Sequence, residues 1–247
     1  MGAVDLRDFI DVAARVMTAS EHRLESIATN VSNSATPGFK RQSAFQLLPA
    51  DTQPTEGVGT GQPAGSALRV QSDFTAGDLR ATGKPLDLAI EGAGFFSLRM
   101  GADFMLTRGG QFRQSEDGRV ISAQGYALQD AGGGDLIVRV PDPQILADGT
   151  VLEEGLPTGR IALVNVDDLS ALAPAGGSVF RVLPGSDPAP EGSSFLRQGM
   201  LEGANVAMPA EMLAMMEAVR QAETGARLVQ LYDTLMGRAI TTFGQRG

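Results

Sequence analysis

Cysteine and tryptophan are absent from this 247-residue chain, and histidine occurs once. Those absences exclude disulfide frameworks, thiolate nucleophiles, cysteine-containing zinc sites and paired-histidine metal sites. Aromatic residues make up only 5% of the sequence. No apolar run approaches the roughly 20 residues that a membrane-spanning helix needs. The opening Met1-Gly2-Ala3-Val4-Asp5-Leu6 has no basic segment followed by an apolar stretch, as a cleaved secretory signal would, and Leu6 breaks the myristoylation pattern. A cytosolic protein, or one that leaves by a route without such a signal, is expected. What the chain has in quantity is glycine (31 residues) and proline (13), which suits a β-rich body with many tight turns.

The net charge of −9 is unevenly spread. Residues 1–41 hold five acids and five bases and residues 205–247 hold four and four, leaving 20 acids against 11 bases in residues 42–204. Neutral ends tolerate close association with copies of themselves, whereas an acidic middle stays hydrated and repels nucleic acid. No nucleic-acid partner is expected.

Both ends carry helical periodicity. Leu6, Ile10, Ala13, Met17, Ser20, Leu24, Ile27 and Val31 recur at spacings of 4 and 3, with no Gly or Pro between Val4 and Ser34. The spacing predicts a helix about 39 Å long, ended by the turn-forming run Ser32-Asn33-Ser34-Ala35-Thr36-Pro37-Gly38. At the other end Met208, Met212, Met215, Val219, Ala222, Ala226, Val229, Asp233, Met236, Ile240 and Phe243 repeat the spacing, with only Asp233 polar. A second apolar row, including Leu213, Met216, Leu228, Leu231 and Leu235, widens that face beyond a two-stranded seam. The two helices can pair with each other, and the extra row favours further association beyond that pair.

Between the ends the chain changes character. Residues 46–67 are rich in Gly, Pro, Thr and Gln and read as an extended connector. From residue 68 onward short β-prone runs alternate with turn signals. Strands are expected at residues 87–90, 95–98, 119–122, 126–129, 136–140, 160–166 and 179–183. The expected fold is α+β. Long N- and C-terminal heptad helices pack together, and a mainly antiparallel β domain lies between them in sequence. The divisions are residues 1–45, 46–67, 68–190 and 191–247.

Candidate chemistry is thin. His22 lies within the first helix beside seam positions, where an ordinary polar helix residue is the simpler reading than a general base. Gly92-Ala93-Gly94 lacks the third glycine of a nucleotide loop and is followed by Phe95-Phe96, so a tight β-turn is expected. The pairs Glu116-Asp117, Glu153-Glu154 and Asp167-Asp168 lack calcium-loop spacing and read as solvated loop charge. No catalytic residue, cofactor or metal site is expected.

Three strings carry a resemblance. Ala28-Thr29-Asn30-Val31-Ser32-Asn33-Ser34-Ala35-Thr36-Pro37-Gly38-Phe39-Lys40-Arg41 is similar to the N-terminal signature of the flagellar rod and hook family of bacterial axial proteins, with Asn30, Asn33, Thr36, Gly38 and Phe39 on its pattern. The stretch from Ser72 to Phe96, containing Thr82-Gly83-Lys84-Pro85-Leu86-Asp87, resembles a second family segment and continues through Leu106-Thr107-Arg108-Gly109-Gly110-Gln111-Phe112. The third is Leu196-Arg197-Gln198-Gly199-Met200-Leu201-Glu202-Gly203-Ala204-Asn205-Val206, ahead of Glu211-Met212.

Within that family the length and single modest central domain are most similar to the proximal rod branch, with the distal rod branch second. The resemblance implies a non-enzymatic subunit, exported uncleaved through the flagellar type III apparatus and built into the rod that crosses the periplasm. Its implied partners are copies of itself and other rod proteins, with no small-molecule substrate and no membrane insertion. Assembly is expected through Leu6, Ile10, Ala13, Met17, Leu24, Ile27, Val31, Met212, Met215, Val219, Ala222, Ala226, Val229, Met236 and Ile240. A charge at Ile27 should then block assembly and spare the β domain. Two other classes stay open: a β-domain binding module on a helical oligomerisation stalk, and an enzyme using one of the carboxylate pairs.

Overall fold

The structure, a computed structural model, describes residues 6–46, 68–101, 103–190 and 193–244. Most of the expected connector, residues 47–67, lies outside the described residues. The chain divides into two compact units, one of residues 1–31, 42–70 and 207–247 and the other of residues 32–41 and 71–206.

The first unit contains two long helices, α1 (Leu6–Ser32, 27 residues) and α2 (Met208–Gly244, 37 residues). Helix α1 ends where Asn33 to Gly38 turn, as the run of small polar residues before Pro37-Gly38 predicts. The helices run antiparallel. Asn30 meets Glu211, and α2 passes the middle of α1 at Gly225, where an added Cβ would lie 2.8 Å from Met17 Cγ and 3.7 Å from Val16 Cγ1. Gly225 is therefore the point of close approach, and its lost helix propensity is offset by what its missing side chain admits.

The second unit is built almost wholly of antiparallel strands. Its main sheet runs in the order Leu172–Gly176, Val179–Val182, Asp103–Thr107, Phe95–Met100, Ala127–Leu128, Val120–Ser122 and Phe112–Gln114. Leu163–Asn165 pairs with the Phe95 end of the central strand and with Ala189–Pro190. Gln144–Ile145, Thr150–Glu153 and Leu156–Arg160 form a separate three-stranded sheet. Two further pairs join distant parts of the chain, Leu88–Glu91 with Phe195–Gln198 and Leu79–Ala81 with Met200–Glu202.

Neighbouring side chains on a strand point to opposite faces, and the pair Phe95-Phe96 uses this to hold two cores together. Phe96 enters the larger core with Leu88, Ile90, Leu98 and Leu128. It meets Phe112 edge to face at 5.2 Å. Phe95 enters the smaller core with Leu106, Val166, Leu172 and Phe180. There Phe74 packs edge-on to it at 5.5 Å.

Two expected strands differ. Residues 136–140 make a single bridge, Ile137 to Arg119, because Gly134 and Pro141 bracket the run and its amides bond to Leu128 and Gly118 instead of one neighbour. Residues 160–166 divide, with Arg160 ending one strand and Leu163–Asn165 forming another. Between them the Ile161 amide donates to Gly149 and the Ala162 amide to Gln129. The short strands Gln42–Gln46, Leu68–Ser72, Leu79–Ala81 and Asp103–Thr107 had no periodic signal strong enough to mark them.

Candidate functional site

Within the helical unit the inner line is made of small and polar residues together with Ile27. Ala13, Ser20, Ile27 and Asn30 are buried on α1, and Glu211, Ala218 and Gly225 on α2. Met17, Leu24, Val31, Met215, Ala222, Ala226 and Val229 are half-buried. Met212 and Val219 are exposed, at 56% and 41%, so the inward line of α2 takes the residue before each of them, Glu211 and Ala218. Ala218 and Gly225 let the helix backbones approach, and Met212 and Val219 are turned outward. Leu213, Met216 and Leu231 share that outward exposure. The side chains of Leu6, Ile10, Met236 and Ile240 lie outside the described residues.

Asn30 fastens the end of this helix pair. Its Nδ2 donates to the Gln42 carbonyl at 2.8 Å and to Glu211 Oε2 at 3.2 Å, while its Oδ1 accepts from the Gln42 amide at 2.7 Å. One buried amide therefore ties α1 to the re-entering chain and to the first turn of α2, where Glu211 also favours the positive helix end.

In the second unit the three signature strings converge. The Thr36 amide donates to Asn33 O at 2.9 Å, closing the turn that brings Gly38 to a left-handed φ of +69°. A Cβ there would run into the backbone of Arg108 and Gly109, so only glycine satisfies both the conformation and the space. The Gly38 amide donates to the Glu202 carbonyl at 2.8 Å, and Phe39 is buried.

Glu202, itself 1% exposed, lies at the centre of a buried charge cluster. Its Oε1 accepts from Lys40 Nζ at 2.5 Å and from the Gly77 amide at 3.0 Å. Its Oε2 faces Arg108 Nη1 at 3.4 Å. Lys40 also donates to the Thr75 carbonyl at 2.7 Å. Arg108 donates to the Gly92 carbonyl at 2.7 Å and sits 5.4 Å from the centre of the Phe95 ring. Burial lowers the pKa of both cations, opposed in each case by Glu202.

Asn205 completes the cluster by accepting from the Arg41 amide at 2.7 Å and donating to the carbonyls of Asp73 and Thr75. The entering segment 38–41 and the leaving segment 200–205 are thereby clasped side by side. Lys40, Arg108, Glu202 and Asn205 each lie inside a signature string. The joint burial of Lys40, Arg108 and Glu202 was not readable because Lys40 and Glu202 stand 162 residues apart.

The remaining candidates are structural. His22 is partly exposed, 3.5 Å from Glu25 one helical turn on. Gly92 and Gly94 have φ of +116° and +93° in the turn between two strands, as the short loop predicts. Asp168 caps the short helix Leu169–Ala171 by accepting from the amide and hydroxyl of Ser170, which lower its pKa. Glu153 is buried and accepts from the amides of Arg139 and Val140, correcting its reading as solvated loop charge. Glu116 and Asp117 are exposed.

Comparison with known proteins bears on this arrangement. The family described as "Flagellar hook protein FlgE/F/G D1 domain" matches residues 89–156, and "Flagellar basal body rod FlgEFG protein C-terminal" matches residues 197–242. The flagellar basal-body rod protein FlgF of Caulobacter vibrioides is 30% identical over 236 residues, covering 94% of this chain and 96% of its own. FlgF of Mesorhizobium japonicum is 30% identical over 250 residues, covering 98% and 100%. FlgG of Borreliella burgdorferi is 28% identical over 258 residues, covering 92% and 95%. The chain belongs to the flagellar basal-body rod protein family.

Proposed function

We propose that the chain is a structural, non-enzymatic subunit of the bacterial flagellar basal-body rod, of the proximal type. It assembles through its terminal helices with copies of itself and other rod proteins, and reaches the rod uncleaved through the flagellar type III export apparatus. The names of its relatives support the rod assignment, FlgF ahead of FlgG by a narrow margin of identity. The distal rod is the second reading, favoured by the 28% identity to a FlgG protein. Among the described residues no helix is long and apolar enough to cross a membrane.

The observation that carries the assembly mechanism is the outward face of α2. Met212, Leu213, Met216, Val219 and Leu231 are each more than two-fifths exposed, while Glu211, Ala218 and Gly225 are the residues of α2 that are buried. Such a face on a helix already paired on its other side fits packing against helices of neighbouring subunits. Contacts of that kind that do not close on themselves produce a helical shaft. Burying them at about 25 cal/mol per Å² outweighs any surface ion pair, and many subunits sharing the load resist torsion together.

Ile27 is a poor probe of this mechanism because it is 3% exposed within the helical unit, so a charge there also damages the helical unit itself. Met216→Lys is the sharper variant. It should leave the far-UV circular dichroism of the dilute protein unchanged and abolish concentration-dependent sedimentation. Unchanged association would rule this face out.

A further inference from the structure

The β unit carries a protruding hairpin and an apolar cleft whose features match. Strands Thr150–Glu153 and Leu156–Arg160 are joined by the two residues Glu154 and Gly155, with Glu153 opposite Leu156. Both loop residues have positive φ, +51° and +80°, as a type I′ turn requires. That turn favours Asn, Asp or Gly at its first position, and Glu154 is the only non-glycine residue with positive φ among the described residues. The neighbouring Leu156 is 69% exposed, more than any other large apolar residue described. The base of the tip is fixed, since Glu153 is buried and bonded to the amides of Arg139 and Val140. A strained glutamate and a bare leucine are thus displayed on an anchored support, and observed strain of this kind points toward function.

A cleft of about 510 Å³ opens on the same unit, at the Arg160 end of this hairpin. Phe104 and Phe195 stand at it, 40% and 58% exposed, with Leu163 and Val164 also lining it. Its charged residues are Asp130, Asp148 and Arg160. The two carboxylates are engaged with backbone amides, Asp130 with those of Gly132 and Arg160, and Asp148 with that of Thr150. Arg160 uses Nε on the Asp148 carbonyl at 3.0 Å, and its Nη groups make no hydrogen bond among the described residues. The cleft therefore offers aromatic walls and, beside two carboxylates already held by backbone amides, one guanidinium whose Nη groups make no hydrogen bond among the described residues.

We propose that the 153–156 hairpin tip of a second copy of this chain occupies the cleft, with Leu156 between Phe104 and Phe195 and Glu154 on Arg160. Leu156 does not line its own cleft, and four residues of extended strand, roughly 13 Å, separate it from Arg160. Tip and cleft are thus different surfaces of one unit. Their contact is head-to-tail, so it propagates along a series of copies and does not close as a symmetric pair. This inference rests on the rod-subunit reading and adds to it a second contact, between β units.

The natural absence of cysteine allows a clean test with the full chain. Leu156→Cys and Phe195→Cys proteins are prepared separately, mixed at high concentration and oxidised, and the disulfide-linked dimers are identified by mass. The mixed dimer should form in several-fold excess over either self-linked dimer. Adding Glu154→Arg to the first protein should reduce it, and adding Arg160→Glu to the second should restore it. A mixed dimer no more abundant than the self-linked ones overturns the proposal. Sedimentation of the unaltered chain separates the two failures. Self-association without the mixed crosslink rejects the hairpin contact alone, and no self-association under any condition rejects both readings.

Discussion

Removing the carboxylate of Glu202 should be far more damaging than removing the ammonium of Lys40, because the buried cluster holds two cations and one anion. Glu202→Gln leaves Lys40 and Arg108 without their shared buried counter-charge at side-chain exposures of 1% and 9%, and turns an amide N–H toward a group that can only donate. Breaking a buried pair from one side costs about 3–5 kcal/mol, and the second cation places this case at the upper end. Lys40→Met keeps the apolar stem and leaves Glu202 paired with Arg108, so its loss is confined to the ammonium bonds to Glu202 and the Thr75 carbonyl. Charged hydrogen bonds of that kind are worth about 1.5–3 kcal/mol.

Urea unfolding followed by far-UV circular dichroism measures both, since the chain lacks tryptophan. At about 1–3 kcal/mol per molar urea, the Glu202→Gln midpoint should fall by one molar or more with unchanged slope. A Glu202→Gln variant as stable as Lys40→Met, or less than about 1 kcal/mol below wild type, would refute the two-cation account.

Other outcomes follow from the same geometry. Gly225→Leu places a branched side chain where even a Cβ lies 2.8 Å from Met17, and should cost the helical unit about 1–3 kcal/mol, read as earlier loss of helix on heating. Asn30→Ala leaves the Gln42 amide and carbonyl unanswered and removes a donor from Glu211, for about 1–3 kcal/mol in the same melt, whereas Asn33→Ala, at a half-buried position, should cost less. Lys40 titrates below its ordinary 10.5 because burial outweighs its attraction to Glu202. Between that lowered value and 10.5 the unfolded chain holds the proton more tightly, so this group's contribution to stability rises with pH. Wild type should accordingly gain on Lys40→Met across that window in matched urea titrations.

Much of the helical unit was legible because the information is local. Spacings of 3 and 4, the absence of Gly and Pro, and the turn-forming run before Gly38 placed α1 to within a few residues. The inward line of α2 was less legible, since apolar size favours Met212 and Val219 whereas the inner positions are Glu211 and Ala218. A sequence displays apolar faces without saying whether a face serves its own partner helix or the next molecule. Strands were readable where β-branched or aromatic runs lay between turns, as at Phe95–Met100, and unreadable where ladder partners set the boundaries, as at Ile161. The charge cluster was hidden for a different reason. Lys40, Arg108 and Glu202 look like solvated charge singly, and only the pairing of Leu79–Ala81 with Met200–Glu202 brings the last of them inward.

If the outward face of α2 builds this chain into a flagellar rod, a charge placed on that face keeps the chain out of the rod. The most direct measurement replaces the chromosomal copy with Met216→Lys in the native bacterium, then examines purified basal bodies by electron microscopy and assays motility. The variant should be folded and absent from the rod, with truncated rods and non-motile cells. Complete rods containing the variant, in cells that swim normally, would contradict it.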